Sequence, residues 1–194
     1  MKELLSYGKP LTPSIAPVDL NGLIRKALDT VLKKFNGIKI GVDLIIPELT
    51  PIDLDEILMR QAFQNLIQNA LEAMPDGGNL KIEVRSEKPL PRLPSPLKGE
   101  GQGEGGMAER RDRPSGPSNK GIEILISDTG PGIPQEGLEK IFLPFYTTKP
   151  RGIGMGLPIV HKIVLAHGGS IGVESEKGRG TTFKIYLPGQ RSLS

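Results

Sequence analysis

Residues 88–120, KPLPRLPSPLKGEGQGEGGMAERRDRPSGPSNK, hold six glycines and six prolines in 33 positions and almost no apolar periodicity. A stretch of that composition cannot bury enough surface to offset the entropy of ordering it. It reads as a flexible insertion, and it constrains everything around it. On one side stands NLKIEVRSE and on the other GIEILISD, two alternating or apolar runs with the character of strands. An insertion between two such runs is housed most simply when the strands pair as neighbours and the insertion extends their hairpin connection. Both flanks then belong to one sheet. What remains without the insertion, about 160 residues, is the size of a single domain.

The same stretch accounts for the charge. The chain carries a net +3, and between Lys88 and Lys120 seven basic residues face four acidic ones, a difference of three. The rest of the protein is therefore neutral, so its basic pI is no argument for a nucleic-acid partner. The Arg110–Arg113 run reads as a solvated loop. There is no cysteine, which excludes disulfides and thiolate metal sites and fits a reducing compartment, and two histidines leave little material for zinc. No apolar run approaches the roughly 18 to 20 residues of a membrane span, and MKELLSYGKP lacks the apolar core of a signal peptide. The expectation is a cytoplasmic domain with no membrane contact of its own.

Along the chain, Leu20, Leu23, Ile24, Ala27, Leu28, Val31, Leu32 and Phe35 recur at helical spacing, with Asp19 available as N-cap. IKIGVDLIIP reads as a strand ended by Pro47 and Pro51. A second helix is expected to start at Asp53, which forms a capping-box pattern with Glu56, and to run until PDGG stops it. QEGLEKIF reads as a short third helix and PIVHKIVLAHGG as a fourth, ending at Gly168. SIGVESE and TTFKIYLP read as closing strands joined by KGRG. Residues 1–17, with Pro10, Pro13 and Pro17, read as a linker from something upstream, residues 18–190 as the domain, and 191–194 as a tail. Helices and strands mix without strict alternation, which favours a helical layer on one face of a mixed sheet.

Three stretches carry chemistry. Asn65 and Asn69 lie one helical turn apart beside an apolar stripe and need partners there. They could be satisfied polar residues at a helix edge, or an amide oxygen could coordinate a magnesium ion that also holds phosphate oxygens. The second stretch is DTGPGIP. Asp128 ends the apolar strand IEILISD, Gly130 and Gly132 permit positive φ and close backbone approach, and Pro131 and Pro134 stiffen the turn. A carboxylate fixed there only accepts hydrogen bonds, which suits an exocyclic amino group such as adenine N6 and repels the carbonyl of guanine. Taken alone, D-x-G-x-G is also the pattern of an ordinary turn. The third is PFYTTKPRGIGMGLP, in which Gly152, Gly154 and Gly156 alternate before a helix with Pro158 in its first turn. Glycine-rich backbone feeding a helix N-terminus is an anion site suited to polyphosphate, with Thr147, Thr148 and Lys149 placed to add hydroxyls and one charge. The flanking glycines and prolines suggest a mobile lid. GQGEGG satisfies G-x-G-x-x-G but follows prolines and opens no helix, and no P-loop pattern occurs.

In order and spacing, NLIQNALEAMPDGG, DTGPGIP, IFLPFYTTK (with Phe142, Pro144 and Phe145) and GMGLPIVHKIV resemble the N, G1, F and G2 boxes of the histidine-kinase ATP-binding domain. That domain lies within the superfamily that also holds gyrase, Hsp90 and MutL. The resemblance extends from about Pro17 to Pro188, insertion excluded. It implies a two-layer α/β sandwich of the Bergerat type, a mixed sheet with helices on one face and ATP under a mobile lid. It also implies that Asn69 binds Mg2+ and Asp128 the adenine. Gly130, Gly132 and Ile133 would form the nucleotide turn, and Gly152, Gly154, Met155, Gly156 and Leu157 the phosphate segment. Phe145, Thr147, Thr148, Lys149 and Thr182 would complete the nucleotide contacts, with Asn65 and Lys149 as catalytic residues.

Asn65 stands where ATP-hydrolysing relatives carry a glutamate that activates water, and an amide cannot take up a proton near neutral pH. The resemblance therefore points to phosphoryl transfer by positioning and charge neutralisation. The partners it implies are a phosphoacceptor histidine domain in cis or in trans and, through it, a response regulator. Against this stand an ATP-driven conformational switch of the chaperone or mismatch-repair type and a standalone serine-kinase-type regulator. No histidine followed by an acid occurs, and His161 and His167 read as exposed or capping residues. The isolated chain is expected to be a monomer that binds ATP and magnesium without phosphorylating itself.

Overall fold

A computed structural model describes residues 11–35, 37–87, 121–149 and 152–189. The insertion expected at 88–120, the first ten residues of the expected linker and the expected tail at 191–194 lie outside the described residues.

The elements follow in the order β1 (Ala16–Val18), α1 (Leu20–Leu32), β2 (Ile40–Ile45), β3 (Ile52–Leu54), α2 (Glu56–Glu72), β4 (Gly78–Glu87), β5 (Gly121–Asp128), α3 (Gln135–Leu138), α4 (Gly156–Ala166), β6 (Ser170–Glu176) and β7 (Gly180–Leu187). Five strands form a mixed sheet in the order β2-β4-β5-β7-β6. β2 runs parallel to β4, and every other pair is antiparallel. β4 and β5, the strands on either side of the insertion, are neighbours from Leu80 opposite Asp128 to Glu87 opposite Gly121.

The sheet has one apolar face because successive side chains alternate. Leu80, Ile82 and Val84 of β4, Ile122, Ile124 and Ile126 of β5, and Phe183, Ile185 and Leu187 of β7 are all buried. The intervening positions carry polar groups on the opposite face, where Lys81 and Arg85 both contact Glu83, at 2.8 and 2.6 Å. α2 lies against α1 and α4. Its Phe63, Leu66 and Ile67 are fully buried, and each such side chain is worth about 1.5–3 kcal/mol of transfer free energy. α1 buries Leu20, Leu23, Ile24, Ala27, Leu28 and Val31, the stripe expected from its spacing, although Asp19 caps it without a side-chain hydrogen bond.

Three boundaries differ from the sequence reading. α2 does not begin at Asp53. That residue pairs with Pro17 in the small antiparallel ribbon of β1 and β3, and Asp55 is the N-cap, its Oδ1 accepting the Leu58 amide at 3.0 Å. Two aspartates two residues apart both satisfy a capping pattern, and the strand pairing of Ile52–Leu54 decides between them. The same pairing takes Ala16 and Pro17 out of the expected linker and into the fold. Third, α3 covers only Gln135–Leu138 of QEGLEKIF, the rest forming turns.

Asp55 is also where the chain ends of two helices meet. Its Oδ2 accepts the Ser14 amide at 2.8 Å, and its own amide donates to His167 Nε2 at 3.0 Å. Burial pushes the Asp55 carboxyl up, but the amides of Leu58, Ser14 and Ile57 outweigh it and hold the group below the usual aspartate value. His167, with Nδ1 2.8 Å from the Ile163 carbonyl, is the C-cap of α4 and thus the capping residue expected. Among the described residues no helix is long and apolar enough to cross a membrane.

Candidate functional site

A cleft of about 870 Å³ lies between α2, the turn after β5 and the segment that leads into α4. Small-molecule sites of this kind span roughly 300–1,000 Å³.

One end is built by the carboxyl end of β5. Asp128 is 8% exposed. Its Oδ1 accepts the Gly130 amide at 2.9 Å, and its carboxylate also accepts the backbone amide of Thr181. Burial raises the Asp128 pKa above the ordinary aspartate value, more than those two hydrogen bonds lower it. The turn is docked on the β6–β7 hairpin, for Gly178 N–H donates to the Pro131 carbonyl at 2.7 Å and Ile133 N–H to Ser175 Oγ at 2.7 Å. Gly132, with φ 72°, closes this contact, and a Cβ there would run into the Glu176 carbonyl. Gly130 is not in the left-handed region. Its requirement is space, since a Cβ would come within 3.0 Å of both Asp128 and Ala73.

The other end is built on α2. Asn65, Asn69 and Glu72 share one helical face. Asn65 Nδ2 donates to the Gly156 carbonyl at 3.4 Å, which ties α2 to the first residue of α4. Asn69 Oδ1 accepts the Lys149 ammonium at 3.0 Å, and the same ammonium pairs with Glu72. Gln68 Nε2 donates to the other Glu72 oxygen at 2.7 Å. Burial raises the Glu72 carboxyl, but Lys149 and Gln68 more than offset it and leave the group below the usual glutamate range. Thr147 Oγ1 accepts the Lys149 backbone amide at 3.1 Å. Gly154, at φ 71°, accepts the Phe145 amide at 3.0 Å, and Phe145 itself stands at φ 67°, a conformation costing a non-glycine residue about 1 kcal/mol. The first-turn amides of α4 have no partner within the helix, and Pro158 contributes no N–H.

An amide oxygen already in contact with a cation, a carboxylate three residues on, and a glycine-rich approach to a helix start make up a polyanion-and-cation site. At the far end a buried acceptor suits a base. The sequence pattern of the family described as histidine kinase-, DNA gyrase B-, and HSP90-like ATPase matches residues 54–191. The chain belongs to that family.

Among members of this ATPase family, the sensor histidine kinase ZraS of Escherichia coli strain K12 is 31% identical over 189 residues, 97% of this chain and 34% of that protein. The sensor kinase CckA of Brucella abortus strain 2308 is 38% identical over 193 residues, 97% of this chain and 18% of that protein. The chain thus spans about a third or less of the length of these curated relatives. Among solved structures, the catalytic domain of histidine kinase ThkA superposes with a TM-score of 0.66 at 28% identity, over 91% of this chain and 96% of that one. Full-length ShkA in complex with AMPPNP gives 0.67 at 25% identity, over 100% of this chain and 36% of that one. The mixed sheet with helices on one face is the fold of histidine-kinase catalytic domains, and the nucleotide of such ATP-binding domains is ATP.

Of the site residues expected from sequence, the fold brings Asn65, Asn69, Asp128, Gly132, Ile133, Thr147, Thr148, Lys149, Gly152, Gly154, Gly156 and Leu157 to the walls of one cleft. Four others stand elsewhere. Gly130 is buried behind Asp128 and shapes the turn. Met155, 3% exposed, is the N-cap of α4 and packs inward. Phe145 is 59% exposed and does not line the cleft. Thr182 lies on the polar face of the sheet, where it donates to Ser127 Oγ at 2.9 Å. Its neighbour Thr181 lines the cleft instead, opposite Asp128 in register, because strand side chains alternate and the β5–β7 register sets the parity. The sequence reading also missed Glu72, although its position three residues after Asn69 placed it on the same face.

Proposed function

We propose that this chain is the catalytic part of a sensor histidine kinase and transfers the γ-phosphoryl group of magnesium-ATP to a histidine on a separate domain. The Pγ–O bond to ADP breaks, a P–N bond forms at an imidazole nitrogen of the acceptor, and ADP leaves with the electron pair. In this reading Asp128 accepts from the adenine amino group while the Gly152–Leu157 segment and the start of α4 take the phosphates. Asn69 would hold the magnesium ion, which would supply neutralisation of the polyphosphate charge. The donor set fits, since Asn69 Oδ1 is a hard neutral oxygen already facing an ammonium at 3.0 Å. Loading the site requires Lys149 to give up that oxygen, which frees its charge for the phosphates.

The observation that carries the reading is Asn65. It sits at the phosphate end, one turn from Asn69, and its amide donates to the Gly156 carbonyl. A group that holds the start of α4 and cannot take a proton from water positions the phosphates without activating hydrolysis. A separately prepared phosphoacceptor domain of a sensor kinase, mixed with this chain and radiolabelled ATP, should gain acid-labile phosphate that depends on magnesium. Asn69→Ala should abolish it. ATP hydrolysis by the chain alone, lost on Asn65→Ala, would favour a conformational-switch ATPase instead. A magnesium requirement, a phosphorylated partner and a cytoplasmic site of action are part of the same proposal.

A further inference from the structure

Ser175 stands behind the base end of the cleft at the centre of three hydrogen bonds. Its Oγ accepts the Ile133 amide at 2.7 Å, lies 2.8 Å from the Gly180 carbonyl, and lies 3.0 Å from Thr181 Oγ1. A carbonyl only accepts, so the single Ser175 proton is committed to Gly180. An amide only donates, so Ile133 takes one Ser175 lone pair. The contact with Thr181 is then bonding in one direction alone, with the Thr181 hydroxyl donating to Ser175. Turning that proton towards the cleft would leave two sets of lone pairs facing each other at 3.0 Å, a partly buried arrangement that costs free energy. Both side chains that meet a ligand at this end, Asp128 and Thr181, therefore offer lone pairs and no proton.

We propose that Ser175 is a positioning residue that orients the Thr181 hydroxyl and so makes the base end of the cleft an acceptor-only surface, selecting amino-purine over oxo-purine nucleotides. The inference rests on reading Asp128 as the acceptor of the base. A base with an exocyclic amine meets two acceptors, while one with a carbonyl there meets two repulsive oxygens. Without the Ser175 oxygen, the Thr181 hydroxyl is free to rotate and donate, and its part of the discrimination is lost. A purely structural role for Ser175 would weaken every nucleotide alike and leave the ratio between them unchanged.

The test measures ATP and GTP dissociation constants of the full chain with magnesium, by calorimetry for ATP and by competition for GTP. Ser175→Ala should narrow the preference for ATP by about tenfold, the scale of exchanging one hydrogen bond for one repulsion, and Ser175→Thr should restore most of it. Should Ser175→Ala be too unstable to assay, Ser175→Cys keeps the size, weakens the bonds and carries the same expectation. A preference unchanged within twofold in Ser175→Ala, or in Ser175→Cys where the alanine variant does not fold, overturns the proposal. Asp128→Asn separates the two levels. If it leaves ATP affinity intact, the base reading itself fails; if it weakens ATP while Ser175→Ala leaves the preference untouched, only the role of Ser175 falls.

Discussion

Replacing Asp128 by asparagine removes one oxygen and one charge and almost no volume, so its effect can be worked from the contacts. In the folded chain the carboxylate serves the Gly130 amide at 2.9 Å and the Thr181 amide, both of them donors. A bound adenine amine adds a third donor, and a carboxylate with two oxygens and about four lone-pair directions serves all three. Asparagine has one oxygen. Its amino end must face either a backbone donor or the base, so at least one charge-assisted hydrogen bond is lost and one donor–donor contact appears. Hydrogen bonds to charged groups are worth about 1.5–3 kcal/mol, which converts to roughly a tenfold to 150-fold weaker ATP dissociation constant. Without nucleotide the substitution should be mild, because burial already disfavours the charged form of this group. Isothermal calorimetry with magnesium-ATP, alongside a thermal melt of the free chain, tests both halves. An ATP affinity changed by less than threefold in a variant that melts normally would refute the assignment of Asp128 to the base.

The raised Asp128 pKa gives a pH dependence with a definite sign: ATP affinity should fall as pH is lowered, beginning above the ordinary aspartate value, because the protonated carboxyl no longer offers two free acceptors. Asp128→Asn should flatten titration-calorimetry profiles through that window. For the nucleotide-free fold the sign is opposite, since a folded pKa above the unfolded one contributes stability at low pH that is lost as pH rises through the folded value. Gly132→Ala should lower both the melting temperature and ATP affinity, at a cost of about 1–3 kcal/mol, since φ 72° disfavours alanine and its Cβ would meet the Glu176 carbonyl; an unchanged melt would contradict this docking. Glu72→Gln should shift urea unfolding by less than about 1 kcal/mol, because the pair with Lys149 is partly exposed and screened. The same variant should bind ATP more tightly, by a few-fold, as Lys149 no longer has to leave a carboxylate; weaker binding would mean that Glu72 itself serves the nucleotide.

Much of this molecule follows from local patterns. The apolar stripe of α1, the alternation in β4, β5 and β7, the turn at Asp128 and the glycines before α4 are written in residues close together in the chain, where helix and strand periods act directly. The flexible composition of residues 88–120 between two strand-like runs led to the expectation that those strands are neighbours, and β4 and β5 are paired. Other features depended on partners distant in sequence. Whether Asp53 or Asp55 caps α2 was settled by the pairing of β3 with β1, about 36 residues away. Which of two adjacent threonines meets the cleft was settled by the register of β7 on β5, and a slip of one residue would have reversed it. The contact of Lys149 with Asn69 and Glu72 joins positions 80 and 77 residues apart. Sequence by itself thus determined the elements and the chemical groups available, since both rest on short-range sterics and polarity. The tertiary structure alone decided which of those groups face one another, because registers and charge partners are set by packing between segments the chain does not connect locally.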